Sequence, residues 1–254
     1  MKLGAQCYTL RDYMQTERDI QRSLTAVAKM GYRTVQISGI GPIAPAKLRQ
    51  ICDDLGLEIA LTHMPPARIT NDTEALIAEH QVLGCRYIGL GSMPDRYRVL
   101  PEWVDYFAED FLPAAEKIHA AGMRFMYHNH NFEFERLPDG RLIMEALLAA
   151  FSPELMGVTV DTYWLQAAGC DILVWLERLK DRIPCVHLKD MTAHGMETRM
   201  APVGGGNINF PAILKALDAA GKTEYLLVEQ DYCYESPFIC LKKSYDYLAG
   251  LGYK

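Results

Sequence analysis

The chain has 254 residues, half of them hydrophobic and 23% charged, with a formal net charge of −6. Those proportions exclude an intrinsically disordered chain and a nucleic-acid-coating surface, and the length suffices for a core that needs no disulfide or metal staple. The longest apolar stretches are broken by charge, Gly or Pro within about ten residues, against the roughly 20 that span a bilayer, so no membrane span is expected.

Met1, Lys2 and Leu3 run into a strand-like segment without an apolar signal region, and a cytoplasmic location is expected. The first strand is read over 3–8. Thr16 with Asp19 three residues on signals a helix start, and Ile20, Leu24, Val27 and Ala28 then follow helical spacing up to Gly31. A strand over 34–37 precedes a second helical stripe of Leu48, Ile51, Cys52 and Leu55, which Gly56 stops. Strand 58–62 leads to a broader stripe of Leu76, Ile77, Val82 and Leu83, and strand 87–90 to the clearest one, Trp103, Phe107, Phe111, Ala114 and Ile118. Strands over 124–128, 157–160, 185–188 and 225–229 alternate with helices centred on Leu147, Leu176, Leu217 and Tyr245. Gly84, Gly122 and Gly221 mark further helix-to-strand turns.

Eight βα units at about 32 residues each, with no linker or composition shift, predict a single α/β domain over 1–254, an eight-stranded β/α (TIM) barrel. An open doubly wound sheet is disfavoured, because Gln6, Cys7, Tyr8 and Thr9 offer no Gly-rich phosphate turn after the first strand. Cys7, Cys52, Cys85, Cys170, Cys185, Cys233 and Cys240 are odd in number with no CxxC or CxH spacing, and read as mostly buried, reduced thiols.

Chemistry in such a barrel sits at the C-terminal strand ends. Those ends carry Gln6, Gln36, His63, then His128, Asn129 and His130 with Glu133, Asp161, His187 with Lys189 and Asp190, and Glu229 with Asp231. Strand four instead leaves through Gly89, Gly91 and Ser92. A lone His at a strand end is ordinarily a hydrogen-bonded structural group. The set of His128, Asp161, His187 and Glu229 on four successive strands points instead to one divalent ion, Mn²⁺, Zn²⁺, Co²⁺ or Mg²⁺. His80, His119 and His194 are read as structural.

At these residues the chain resembles the sugar isomerase and epimerase superfamily with the xylose isomerase-like barrel. The resemblance rests on GAQCYTLRD, GYRTVQISG, THMP, YHNHNFEF, VDTYW, VHLKD, PVGGGNINFPAIL and LLVEQD in that order. It implies one divalent metal at the ends of strands five to eight, with Asp161, His187 and Glu229 in ligand positions and a sugar or sugar-like polyol above. His128 stands where the broader superfamily has Glu, so the fourth ligand is His128, a group reached by Glu133, or water. Gln36 also replaces a common Glu, and GGGNIN lacks two familiar acids. By composition the Gly204–Gly206 loop suits an anion, and a strand-to-helix rim turn is the preferred reading.

The resemblance implies a metal-dependent isomerase or epimerase acting through enediolate proton transfer on a small carbohydrate. Glu133 is the expected general base or acid, Glu229 a second proton carrier, and Lys189 a polariser of a substrate oxygen. Gln6, His63, His130 and Trp164 are expected to contact substrate, with Tyr8 and Tyr163 as further walls. A dehydratase or deglycosylating lyase sharing the same enediolate is the alternative, and a non-catalytic sugar-binding barrel the second. The repair-endonuclease branch is disfavoured by charge and ligand count, so no nucleic-acid or membrane partner is expected. An unphosphorylated sugar and a homo-oligomer complete the expectation.

Overall fold

The computed structural model describes residues 1–98 and 102–254. In chain order its strands are β1 (Lys2–Gln6), β2 (Thr34–Ile37), β3 (Glu58–His63), β4 (Tyr87–Leu90), β5 (Arg124–His128), β6 (Met156–Asp161), β7 (Cys185–Leu188), β8 (Asp190–His194), β9 (Glu197–Ala201) and β10 (Tyr225–Val228). The run β1-β2-β3-β4-β5-β6-β7-β10 closes on itself as a parallel barrel, β10 pairing with both β7 and β1. The helices are α1 (Glu17–Met30), α2 (Pro45–Leu55), α3 (Pro66–Asn71), α4 (Thr73–Leu83), α5 (Asp95–Arg98), α6 (Trp103–Ala120), α7 (Ile143–Ala150), α8 (Thr162–Ala167), α9 (Ile172–Leu179), α10 (Phe210–Ala220) and α11 (Pro237–Gly250).

Local signals place these elements where the pattern requires. The Thr16 hydroxyl accepts the Asp19 N–H at 3.2 Å and starts α1. On α6 the stripe Trp103, Phe107, Phe111, Ala114 and Ile118 is buried throughout, and Phe107 stacks on Phe111 with ring centroids 4.3 Å apart. Each large side chain so buried contributes about 1.5–3 kcal/mol.

Inside the barrel, Leu61, Tyr87, Met126, Cys185, Tyr225 and Leu227 pack into an apolar floor. Strand side chains repeat every two residues, so the next inward position up these strands is already fixed. Above Leu61 comes His63, above Met126 His128, above Cys185 His187, and above Leu227 Glu229. A polar layer therefore lies directly on a dry one.

Two strands exceed the eight expected. The β8–β9 hairpin is antiparallel, with His194 opposite Glu197, and turns through Gly195 at φ +62° and Met196. Most of it faces solvent, so it lacks the hydrophobic alternation that marked the barrel strands. The Gly-X pair between two short runs was its only sequence signal.

The Gly204–Gly206 loop binds an anion supplied by the chain itself. Asp190 Oδ2 accepts the Gly204 and Gly206 N–H groups at 2.9 Å, while Oδ1 accepts those of Ile208 at 3.1 Å and Met191 at 2.8 Å. A Cβ at Gly206 would fall on the Asp190 carboxylate and the Met191 carbonyl, which explains the glycine. The preferred rim-turn reading holds, and an external phosphate finds its donors taken.

Asp190→Ala strands these N–H groups and is expected to lower stability by about 3 kcal/mol, with Asp190→Asn intermediate. Equilibrium urea unfolding measures this, and a loss below about 0.5 kcal/mol for the alanine variant contradicts it.

Candidate active site

The C-terminal mouth brings the four expected ligands together. Single ligand atoms from His128, Asp161, His187 and Glu229, all buried, lie within 4.8 Å of one another. Adjacent strands set this directly, since Asp161 pairs with His187 across β6 and β7.

Each side chain is held from behind. His128 Nδ1 lies 2.9 Å from the Gly91 carbonyl, which takes its proton and leaves Nε2 facing Asp161 Oδ2 at 3.2 Å. His187 Nε2 donates to Gln36 Oε1 at 2.7 Å, leaving Nδ1 toward Glu229 Oε2 at 2.9 Å and Asp161 Oδ2 at 3.7 Å. Asp161 Oδ1 accepts the Trp164 N–H at 3.1 Å as the N-cap of α8, so Oδ2 alone turns to the cluster. Imidazoles anchored at the outer nitrogen with the inner one bare are the usual arrangement around a bound metal.

The buried atoms test the fit. His187 Nδ1 and Glu229 Oε2 are fully buried without a well-formed hydrogen bond, although they are close neighbours. A divalent ion bound there would take the place of the His187 proton as a partner of Glu229 Oε2. Two imidazole nitrogens with two carboxylate oxygens suit Mn²⁺, Zn²⁺ or Co²⁺, and Mg²⁺ less well.

Lys189 compensates the charge. Its ammonium lies 2.9 Å from Asp161 Oδ2, 2.9 Å from Glu229 Oε2 and 3.0 Å from Asp231 Oδ2, and the side chain is wholly buried. Burial opposes its charge, but the carboxylates outweigh burial and hold its pKa above the ordinary lysine value. Burial alone would raise Asp161 and Glu229, yet Lys189 beside them holds both well below the usual carboxylate range. Burial would likewise depress His187, but Glu229 and Asp161 prevail and lift it to about 9.

Above the cluster opens a cavity of about 550 Å³ lined by Tyr8, His63, His128, His130, Trp164, Glu229 and Asp231 among others. His63 is held neutral by burial and by the neighbouring His128 and His187, and His130 is pushed to about 3 by burial, His128 and Lys189. His63 Nε2, His130 Nδ1 and Trp164 Nε1 are buried without a partner, which suits contact with a polar ligand. The small strand-four exit is explained here: a Cβ at Gly91 would lie 2.9 Å from His63 Nδ1.

Four residues expected at the site do not line the cavity: Glu133, Lys189, Gln6 and Tyr163. Glu133 is wholly buried behind β5, where Oε1 accepts the Tyr127 hydroxyl at 2.7 Å and Oε2 the His130 N–H at 2.8 Å. Burial pushes it up to about 7 against those bonds. That geometry makes it the pin of the His130 loop, and it does not line the cavity. Lys189 Nζ donates to Asp231 Oδ2 at 3.0 Å and lies within ion-pair reach of Asp161 and Glu229, so it is held in the carboxylate cluster and does not line the cavity. Gln6 is fully buried and its Oε1 accepts the Tyr8 N–H at 3.1 Å. Tyr163 is buried in packing, whereas Trp164 reaches the cavity. Asp231, named at its strand exit but given no role, lines the cavity with its side chain 19% exposed. Its signal was the two-residue spacing from Glu229, which places both on the inward face.

A closed parallel barrel with a His and carboxylate cluster at its C-terminal mouth defines a β/α barrel built for chemistry at its strand ends. The sequence matches the xylose isomerase-like TIM barrel family over residues 24–237, and the chain belongs to that family. It is 30% identical over 149 residues to inosose dehydratases of Mesomycoplasma hyopneumoniae, a match covering 51% of this chain and 48% of theirs. The chain thus aligns with about half the length of these curated relatives. A sugar phosphate isomerase/epimerase structure from Parabacteroides distasonis ATCC 8503 superposes with a TM-score of 0.81 at 26% identity, over 97% of this chain and 93% of that one. The probable 3-DHS dehydratase AsbF of Bacillus anthracis shares the fold, with a TM-score of 0.72 at 15% identity over 98% and 99% of the two chains. No helix among the described residues is long and apolar enough to cross a membrane.

If the cluster takes up a divalent ion, the raised His187 pKa would make that uptake pH-dependent. Without metal the folded imidazole holds its proton up to about 9, against 6.5 for an ordinary histidine. Its contribution to metal-free stability is therefore complete below about 6.5 and lost as pH rises through about 9. Metal binding displaces that proton, so apparent affinity for Mn²⁺ should rise about tenfold from pH 7 to pH 8 and flatten above the His187 pKa. Calorimetric titration across this range checks the slope, and an affinity independent of pH contradicts it.

Proposed function

We propose that this site removes a proton from the carbon beside the carbonyl of a sugar or cyclic polyol ketone and expels an oxygen substituent from the next carbon. The observation that carries this reading is the one-sided arrangement of acid groups around the cavity. Glu229 and Asp231 leave the barrel together after β10, with Asp161 beside them, whereas β3 and β5 contribute only the imidazoles of His63, His128 and His130.

When bound by His128, Asp161, His187 and Glu229, a divalent ion would supply Lewis acidity to the substrate carbonyl and its neighbouring hydroxyl. The chain's own residues do the rest. Asp231, steered into the cavity by the Lys189 ammonium, takes the proton from carbon. The C–O bond on the next carbon breaks as the new C=C bond forms, and Asp231 returns the proton to the departing oxygen on the same face. The products are an enone and water or an alcohol. The unpartnered nitrogens of His63, His130 and Trp164 bind substrate hydroxyls and orient the sugar. The 30% identity to inosose dehydratases supports elimination.

Isomerisation or epimerisation is the second reading, favoured by the Parabacteroides distasonis structure. It requires return of the proton to carbon, and for epimerisation to the opposite face, where this cavity offers imidazoles in place of a second carboxylate.

Proton NMR in D₂O with a panel of inososes, 3-keto-hexosides and ketohexoses separates these outcomes. Elimination predicts an enone with release of water or alcohol, and an isomeric ketone or epimer with solvent deuterium overturns it. Asp231→Asn should slow turnover about 10²- to 10³-fold while metal content is unchanged, and unimpaired turnover contradicts its role.

A further inference from the structure

The opening run GAQCYTLRD gives the cavity one wall through Tyr8, and two more of its side chains reach the other end of the chain. A 3₁₀ turn over Cys7–Tyr13 carries them directly after β1. Because β1 pairs with β10 where the barrel closes, this turn stands beside the segment that leaves β10 with Glu229 and Asp231. Residues 229–236 contain no helix or strand. Their place is set by contacts with their neighbours.

The 3₁₀ turn supplies two of these contacts. Thr9 Oγ1 accepts the Gln230 N–H at 3.0 Å, and Arg11 Nη2 donates to the Asp231 carbonyl at 2.8 Å. Arg11 Nη1 donates to the Tyr8 carbonyl at 3.0 Å, and Arg11 Cζ lies 4.3 Å from the centre of the Tyr8 ring. One rigid plane therefore holds a cavity wall and the main chain of Asp231 together. Gly39, at φ +67°, packs so closely on the same ring that a Cβ there would lie 2.7 Å from Tyr8 Cδ2.

Asp231 is thus tied at both ends. Lys189 Nζ meets its carboxylate at 3.0 Å from the cluster side, while Arg11 meets its carbonyl from the 3₁₀ turn, and only two side-chain torsions lie between. Little freedom is left for the carboxylate to turn away from the cavity.

We infer that Arg11 is a positioning residue, which clasps the Asp231 segment to the Tyr8 turn and acts on the chemistry through Asp231. The inference rests on the proton-carrying role proposed for Asp231. The clasp requires a guanidinium, because a single plane meets two carbonyls and an aromatic face, and an ammonium on a flexible stem does not reproduce that. Arg11 lies outside the His128, Asp161, His187 and Glu229 set, so metal content should not depend on it.

The first test reads the segment without any substrate. Cys233, two residues beyond Asp231, is partly accessible, and the Cys240 thiol together with burial raises its pKa, so its alkylation in the closed segment is slow. In metal-loaded Arg11→Lys and Arg11→Met, iodoacetamide should label Cys233 at least about tenfold faster than in the wild type, as read by peptide mass spectrometry. The partly accessible Cys170, on another part of the fold, should be unchanged and so report that the variant is folded. Unaltered labelling of Cys233 in both folded variants overturns the clasp.

The second test asks whether the clasp acts through Asp231. With the member of the inosose, 3-keto-hexoside and ketohexose panel that turns over, Arg11→Lys should lower kcat about 10- to 10²-fold while KM stays within about threefold. The same substitution should have no further effect in an Asp231→Asn background. Equal losses in the two backgrounds give Arg11 a structural role alone and overturn the positioning inference. Unimpaired turnover in Asp231→Asn itself removes the proposed chemistry of Asp231, and the labelling result then still decides the clasp.

Discussion

Carboxylates without access to water need positive charge beside them, and in this barrel Lys189 supplies it. Asp161, Glu229 and Asp231 converge on one ammonium at 2.9–3.0 Å, with His187 as a second cationic group on the far side of Glu229. Removing Lys189 from this set should cost about 3–5 kcal/mol, because Asp161 and Glu229 would lose their shared ammonium away from water. Lys189 therefore lets these carboxylates assemble side by side within the fold. It also holds Asp231 at the cavity edge, joining the charge balance of the folded state to the chemistry of the mouth.

The second constraint is the two-residue repeat of the strands. The inward positions that build the floor with Leu61, Met126, Cys185 and Leu227 continue upward as His63, His128, His187 and Glu229. One periodicity thus yields both a dry base and a polar top, and neighbouring strands close the circle. Groups at other strand ends then finish the arrangement: the Gln36 side chain fixes His187, and the Gly91 carbonyl fixes His128. Glu133 acts one step further out by holding the loop that carries His130. The acid on the fifth-strand loop is spent on the backbone of that loop, and the fifth strand brings imidazole to the cavity.

Much of this was legible in the sequence because it rests on local periodicity. The eight barrel strands were found nearly at their observed ends, and the His128, Asp161, His187 and Glu229 set followed from reading each strand exit. Direction and partnership were harder. Sequence places Glu133 five residues beyond His128, but the short 3₁₀ turn over Phe132–Phe134 swings its carboxylate behind the strand to Tyr127. Lys189 looked free to meet substrate until its three carboxylates, from two other strand ends, were seen around it. The anion held by the Gly204–Gly206 loop was legible in kind but not in source, since Asp190 reaches it through a hairpin whose exposed faces carry no hydrophobic pattern.

The central claim is that His128, Asp161, His187 and Glu229 form one cation site on which the chemistry of the mouth depends. Elemental mass spectrometry of the purified protein beside an Asp161→Ala variant prepared identically tests it most directly. Near-stoichiometric divalent transition metal is expected in the wild type, with its loss in a variant that remains folded. Metal-free wild-type protein that takes up no Mn²⁺, Co²⁺ or Zn²⁺ on addition, or an Asp161→Ala variant that retains the full complement, would contradict it.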